Sequence, residues 1–230
     1  MPTAEHARVA GDAGERRDED ERVGAYISGV ILAAGASRRM GRPKLLLPLG
    51  DRPLLQHALD EAAASRLDEI VLVLGDGASE TLDAIQLPTR LPVRVAINED
   101  PSGGQSSSLR LGLDSTDPRA AAAAILLGDQ PGITGPLIDR VTASFLGADA
   151  SVVRPVYCTP HEHRVPGHPV LVARRLWPEV KKLCGDEGLR RLLARQPEWL
   201  LEVPVQGDPP GDIDTPEDYR SAVAAAEARK

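Results

Sequence analysis

Apolar residues along this chain gather in short blocks, and the blocks are of two kinds. Ile27–Ala33 is almost continuously apolar and runs into glycine-rich sequence, as a strand buried on both faces of a parallel sheet does. Glu69–Leu74 has the same character and is closed by Gly75-Asp76-Gly77, and Val93–Ile97 reads as a third strand. Between these blocks the apolar positions follow helical spacing. Leu54, Leu55, Ala58, Leu59 and Ala62 predict a helix beginning near Pro53, and further helices are expected over 79–85 and 107–115. Residues 121–127 pose a conflict, because their alanines favour helix by propensity. Their place between two helices, followed by Gly128-Asp129-Gln130-Pro131, decides for strand. Strand and helix thus alternate four times, which predicts an α/β protein with a three-layer, Rossmann-like, mostly parallel sheet.

After about residue 150 the alternation weakens. Strands are expected over 151–154, 169–172 and 200–205, and helices over 174–183 and 187–195. A last helix is opened by Thr215-Pro216-Glu217-Asp218: a threonine cap, a proline in the first turn and acids at the positive end of the dipole. Residues 1–24 are polar, carry the mixed-charge run Glu15–Arg22 and have no apolar period, so they read as a disordered leader. The remainder, 25–230, reads as one domain.

Composition narrows the chemistry. Aromatics make up only 3% of the chain, so the core must be aliphatic. A net charge of −7 gives none of the basic footprint of a nucleic-acid binder, and any anion must be held by local geometry. No apolar run approaches the ~18 residues of a membrane span and no secretory segment is evident, so a cytoplasmic protein is expected. Cys158 and Cys184 cannot make a disulfide framework. Cys158, His161, His163 and His168 crowd one segment, but their spacing matches no common zinc finger; a partly exposed loop is the simpler reading.

Four stretches carry candidate chemistry. Leu32–Lys44 follows the first strand; its small residues let backbone N–H groups approach a polyphosphate, while Arg38, Arg39 and Lys44 can bond phosphate oxygens. Its glycine and lysine spacing fits neither the P-loop nor the dinucleotide fingerprint. Asp129, at the end of the fourth strand, opens onto the same crevice and suits a magnesium ion, although an Asp before a helix is also an ordinary cap. Asp212 and Asp214 alternate along an extended segment, share a face and so can offer the metal a second carboxylate; the competing reading is a charged helix cap. Asn98–Leu109 is a polar loop entering a helix, with groups able to bond a base or ribose.

Taken in order, L-A-A-G-x-S-x-R-M-G…K, N…G…S-S-L, G-D-x-P, G-H-P, G-D-x-G and D-I-D-T-P-E-D resemble the molybdenum cofactor cytidylyltransferases, MobA-like nucleotidyltransferases akin to the sugar-nucleotide pyrophosphorylases. The resemblance spans nearly all of 26–226 and implies the nucleotide-diphospho-sugar transferase fold, with a nucleotide-binding half (25–150) and an acceptor-side half (151–230). It implies that Leu32, Ala33, Ala34, Gly35, Ser37, Arg38 and Lys44 hold the triphosphate and base, that Asn98, Gly104 and Ser108 line the nucleotide pocket, and that Asp129 and Asp214 bind Mg²⁺. Arg38, Lys44 and Asp129 would be the catalytic groups, and His168 and Asp186 would face the acceptor. In the family the second alanine of L-A-A-G accompanies cytidine nucleotides, so Ala34 points to CTP, with molybdopterin as acceptor and a molybdenum hydroxylase as eventual partner. Pro101 replaces an aromatic usual in the N…G loop, and Ser106 a common glycine. Two other readings stay open: a sugar- or polyol-phosphate nucleotidyltransferase, and a non-catalytic protein that carries a nucleotide or cofactor.

Overall fold

A computed structural model describes residues 24–35, 40–41, 43–100, 103–159, 163–185 and 189–228. The expected leader, apart from Gly24, lies outside the described residues, as do Ser37, Arg38, Arg39, Pro101, His161 and Asp186.

The strands are β1 (Tyr26–Ala33), β2 (Pro48–Leu49), β3 (Arg52–Pro53), β4 (Glu69–Leu74), β5 (Val93–Ile97), β6 (Ala120–Leu127), β7 (Val152–Cys158), β8 (Arg164–Pro166), β9 (Val170–Ala173) and β10 (Leu200–Gln206). The α-helices are α1 (Leu54–Ala64), α2 (Ala78–Ala84), α3 (Gln105–Asp114), α4 (Gly135–Leu146), α5 (Trp177–Val180), α6 (Leu189–Arg195) and α7 (Pro216–Glu227). Eight strands form one sheet in the order β10-β7-β9-β6-β1-β4-β5, with β8 paired to β7, while β2 and β3 make a separate hairpin. β1 is parallel to both β4 and β6, and β4 to β5. β9 runs antiparallel to β6 and β7, so the regular winding stops there, where the apolar alternation in the sequence weakens.

Period-two alternation sorts the strand residues onto two faces. Ile27, Ile31, Ile70, Leu72 and Leu74 point to one side and pack with Leu55 and Leu59 of α1 and Ile138, Val141 and Phe145 of α4. Val30, Val71 and Val73 point to the other and meet Leu109 and Leu113 of α3 and Val180 of α5. The three-layer architecture expected from the sequence is therefore present. The alanines of β6 are divided the same way, Ala122 and Ala124 against Ala123, and are buried in the middle of the sheet, while Ala120 lies beyond a register shift with β1 and packs with the second side. Tertiary burial overrides their helix propensity. The expected helix over 174–183 is a 3-10 turn (Arg174–Leu176) followed by the single α-turn α5, because Pro178 sits where a longer helix would need its N–H.

Gly112 of α3 lies against β1. A Cβ added there would overlap Val30 Cγ1 and come 3.1 Å from Val73 Cγ2. Alanine in mid-helix ordinarily gains about 1 kcal/mol over glycine, whereas overpacking a stiff β-branched neighbour costs about 1–3 kcal/mol. Overpacking wins, so Gly112→Ala is expected to lower the denaturation midpoint, by about 1 kcal/mol of stability, in a urea titration.

At the opposite edge from the loops described next, Glu69 starts β4 with its side chain 0% exposed. Its Oε1 accepts from Ser28 Oγ and from the Asp117 backbone N–H, each at 2.6 Å. Its Oε2 lies 3.2 Å from Arg94 Nε, an ion pair by distance without the angle of a hydrogen bond.

Candidate active site

The parallel strands deliver their C-terminal ends to one edge of the sheet, where open α/β sheets place their ligands. β1 ends at Ala33 and continues into Ala34 and Gly35; β4 ends beside Gly75; β5 leads into Asn98; β6 leads into Gly128 and Asp129. Gly128 N–H donates to Leu32 O at 3.0 Å, carrying the β1–β6 pairing one residue past the strand. At the start of the first loop Ala33 and Ala34 are buried, Leu32 is half-buried, and Gly35 is exposed with nothing within 4 Å of where a Cβ would stand.

Lys44 reaches back to this edge from the 3-10 turn Lys44–Leu46. Leu45 and Leu47, which follow it, are buried, and Leu47 O accepts from Leu54 N–H at 2.9 Å, so packing fixes the turn. The Lys44 ammonium donates to Asp129 Oδ2 at 2.6 Å and to Asp214 Oδ1 at 2.6 Å. Lys44 is 8% exposed. Burial works against its charge, but the hydrogen bonds and charges of the two carboxylates outweigh burial and hold its pKa above the ordinary lysine value. The structure therefore brings the two distant acids of the sequence reading together on one positive charge.

Asp214 is set from two sides. Ile213 is buried against Leu49 and Leu54, and its N–H donates to Asp129 O at 3.2 Å. On the other side Thr215 caps α7, its hydroxyl accepting from Asp218 N–H while the Asp218 carboxylate accepts from the N–H groups of Thr215 and Asp214. The segment thus caps a helix through Thr215 and Asp218, while the Asp214 carboxylate meets a cation. The sharing of one task by Asp212 and Asp214 is not observed: Asp212 Oδ1 accepts from Gln130 Nε2 while Asp214 turns to Lys44. An extended pair can share a face only while the backbone stays regular, and 208–214 is irregular coil.

Asn98 is buried, and its Nδ2 donates to Ser107 Oγ and Ser108 Oγ at 2.9 Å each, so Asn98 and Ser108 form one polar cluster. Gly104, with φ +73°, turns the chain into α3. Ser106 N–H donates to Gly185 O at 3.0 Å and Arg110 Nη1 to Leu183 O at 2.6 Å. These bonds tie the N…G loop to the start of the G-D-x-G segment, a contact that no sequence pattern foretells. His168 is half-buried; burial pushes its imidazole below the ordinary histidine value, against the opposing charges of Asp212 and Asp129. It thus belongs to the carboxylate side of the site. Among the described residues no group of three or more His, Cys, Asp or Glu is arranged to hold a metal, and no helix is long and apolar enough to cross a membrane. Gln130 is a member of the site that sequence reasoning misses; its place between a strand-end Asp and a proline is the only signal it carries.

The MobA-like NTP transferase domain matches residues 29–199. The chain is 34% identical to the purine catabolism protein PucB of Bacillus subtilis, over 84% of this chain and 94% of that one. It is 32% identical to nicotine blue oxidoreductase of Paenarthrobacter nicotinovorans, over 77% and 85%. Among solved structures, a homologue of Rv0371c from Mycobacterium sp. strain JC1 superposes with a TM-score of 0.78 at 34% identity, covering 89% of this chain and 98% of that one. Rv0371c of Mycobacterium tuberculosis, solved in complex with manganese, gives 0.72 at 30% identity over 87% and 98%. A nucleotidyl transferase of Methanothermobacter shares the fold at a TM-score of 0.71 and 22% identity, over 90% and 100%. A sheet edge with a glycine-rich turn, a lysine and two converging carboxylates, set in this fold and matched over most of its length, places the chain in the MobA-like NTP transferase family of nucleotidyltransferases.

Proposed function

We propose that the protein transfers CMP from CTP to the terminal phosphate of molybdopterin cofactor, releases pyrophosphate and uses Mg²⁺. The observation that carries this reading is the Lys44 ammonium held between Asp129 and Asp214 at 2.6 Å each, at the sheet edge where β6 ends. Two carboxylates that already converge on one cation are hard oxygen donors, and magnesium is typically held by one or two carboxylates plus substrate phosphates. The residues thus fit a divalent ion, which when bound would supply positive charge at the reacting phosphate.

In this reading the turn through Ala33, Ala34 and Gly35 lies against the triphosphate, with Gly35 leaving room for close approach. Ser37 and Arg38 follow in sequence and bond phosphate oxygens. Lys44 leaves its carboxylate partners for the triphosphate oxygens and neutralises the charge that builds up there. Asn98, Gly104 and Ser108 face the nucleoside, and the alanine at 34 favours cytosine over guanine. An oxygen of the acceptor phosphate forms a bond to the α-phosphorus as the bond to the bridging oxygen of pyrophosphate breaks. That phosphate is already ionised, so no general base is assigned. His168, whose imidazole burial holds below the ordinary histidine value, and Asp186 face the acceptor. A molybdenum hydroxylase would receive the product, and the work would be done in the cytoplasm.

The test is a panel of nucleoside triphosphates assayed for pyrophosphate release, with and without molybdopterin. Release that depends on both CTP and molybdopterin supports the proposal. Release with a sugar or polyol phosphate instead reassigns the acceptor, and binding without turnover makes the protein a carrier.

A further inference from the structure

We propose that Gln130 and Asp212 are positioning residues for this reaction: their side-chain hydrogen bond clamps the segment carrying Asp214 onto the loop carrying Asp129 and so sets the spacing of the two carboxylates. The inference rests on the nucleotidyltransferase reading of those carboxylates.

Three contacts join the two segments. Gln130 Nε2 donates to Asp212 Oδ1. Ile213 N–H donates to Asp129 O at 3.2 Å. Gly132 lies against Pro210 so closely that a Cβ there would stand 2.6 Å from the proline Cβ. Both carboxylate-bearing residues are thus close to a clamp residue: Gln130 follows Asp129 directly, and Asp212 is separated from Asp214 by Ile213 alone.

Gln130 is 7% exposed, and its Oε1 is buried with no hydrogen-bond partner among the described residues. A half-satisfied buried amide is a poor filler, and an apolar side chain of the same size would serve packing better. Among the described residues the directed interaction of its side chain is with Asp212. The Asp214 side chain itself is 44% exposed, and its N–H is committed to the α7 cap. The cap fixes Asp214 relative to its helix; the reference to β6 comes from the Ile213 N–H bond to Asp129 O and from the clamp, which is its side-chain component. Partners that orient metal-site groups from behind typically change affinity or activity about 10–100-fold when removed.

The test uses the full chain and reads Mn²⁺ affinity by electron paramagnetic resonance alongside pyrophosphate release. Gln130→Glu sets carboxylate against carboxylate and is expected to weaken Mn²⁺ binding roughly tenfold or more. Combining it with Asp212→Asn reverses the hydrogen bond: the amide introduced at 212 donates to the carboxylate introduced at 130, at unchanged net charge. Contacting residues couple in such cycles, so the double variant is expected to recover to within about threefold of wild type. Gln130→Met adds no charge, guards against a fold failure of the glutamate variant, and should lose affinity without rescue by Asp212→Asn. Wild-type Mn²⁺ affinity in both single variants, or a double variant no better than Gln130→Glu, would overturn the clamp. Asp129→Ala separates the two levels. If it loses Mn²⁺ while the Gln130 variants keep it, the clamp alone fails. If it too binds as wild type does, the site reading fails with it.

Discussion

Asp129→Ala is expected to reduce the rate of pyrophosphate release by about a thousandfold, roughly 4 kcal/mol of transition-state stabilisation. The variant removes a carboxylate 2.6 Å from Lys44 at the end of β6, and with it one of the two acids that converge there. Asp214 is too exposed to organise a divalent ion alone. Asp129→Asn keeps the size and loses the charge, and is expected to fall about a hundredfold. Folding should hold in both, because Lys44 keeps Asp214 and the Ile213 N–H bonds the backbone carbonyl of residue 129 rather than its side chain. Steady-state rates at saturating metal, with melting curves as control, decide the matter. A wild-type rate in Asp129→Ala would remove this residue from the mechanism.

Glu69→Ala is expected to have the largest effect on stability, a loss of about 2–4 kcal/mol. The change strands the Ser28 hydroxyl and the Asp117 N–H inside the fold and takes one of its carboxylate partners from Arg94. Arg94 is half-exposed and keeps Asp117, so its loss is partly offset, which holds the figure below that of a fully buried pair. For a chain of this size the melting temperature should drop by roughly 5–15 °C in calorimetry. Activity per folded molecule should be unchanged, since Glu69 lies at the opposite end of β4 from the loops that bear the site. An unaltered melting temperature would mean that the carboxyl group adds nothing to the fold.

Much of this architecture is legible in the residues alone. β4 falls where a continuous apolar run places it, and α1 follows its helical spacing, because burial on both faces of a sheet or along one stripe of a helix leaves a direct imprint on composition. Lys44, Asp129 and Asp214 stand out in the sequence as parts of separate motifs, and folding brings them together. The antiparallel turn at β9 is not legible, since a four-residue apolar strand reads the same in either direction. The hairpin of β2 and β3 is two residues per strand and carries no periodicity. The different tasks of Asp212 and Asp214 are hidden for a related reason. Alternation along the chain assigns faces only in regular backbone, and the partner that separates them, Gln130, lies 82 residues away from Asp212.

Lys44 meets Asp129 across 85 positions of sequence and Asp214 across 170. During synthesis, then, the chain must be made as far as Asp214 before these three side chains can meet. Cleavage ahead of Asp214 would remove one of the two carboxylates that hold Lys44, however much of the sheet remained.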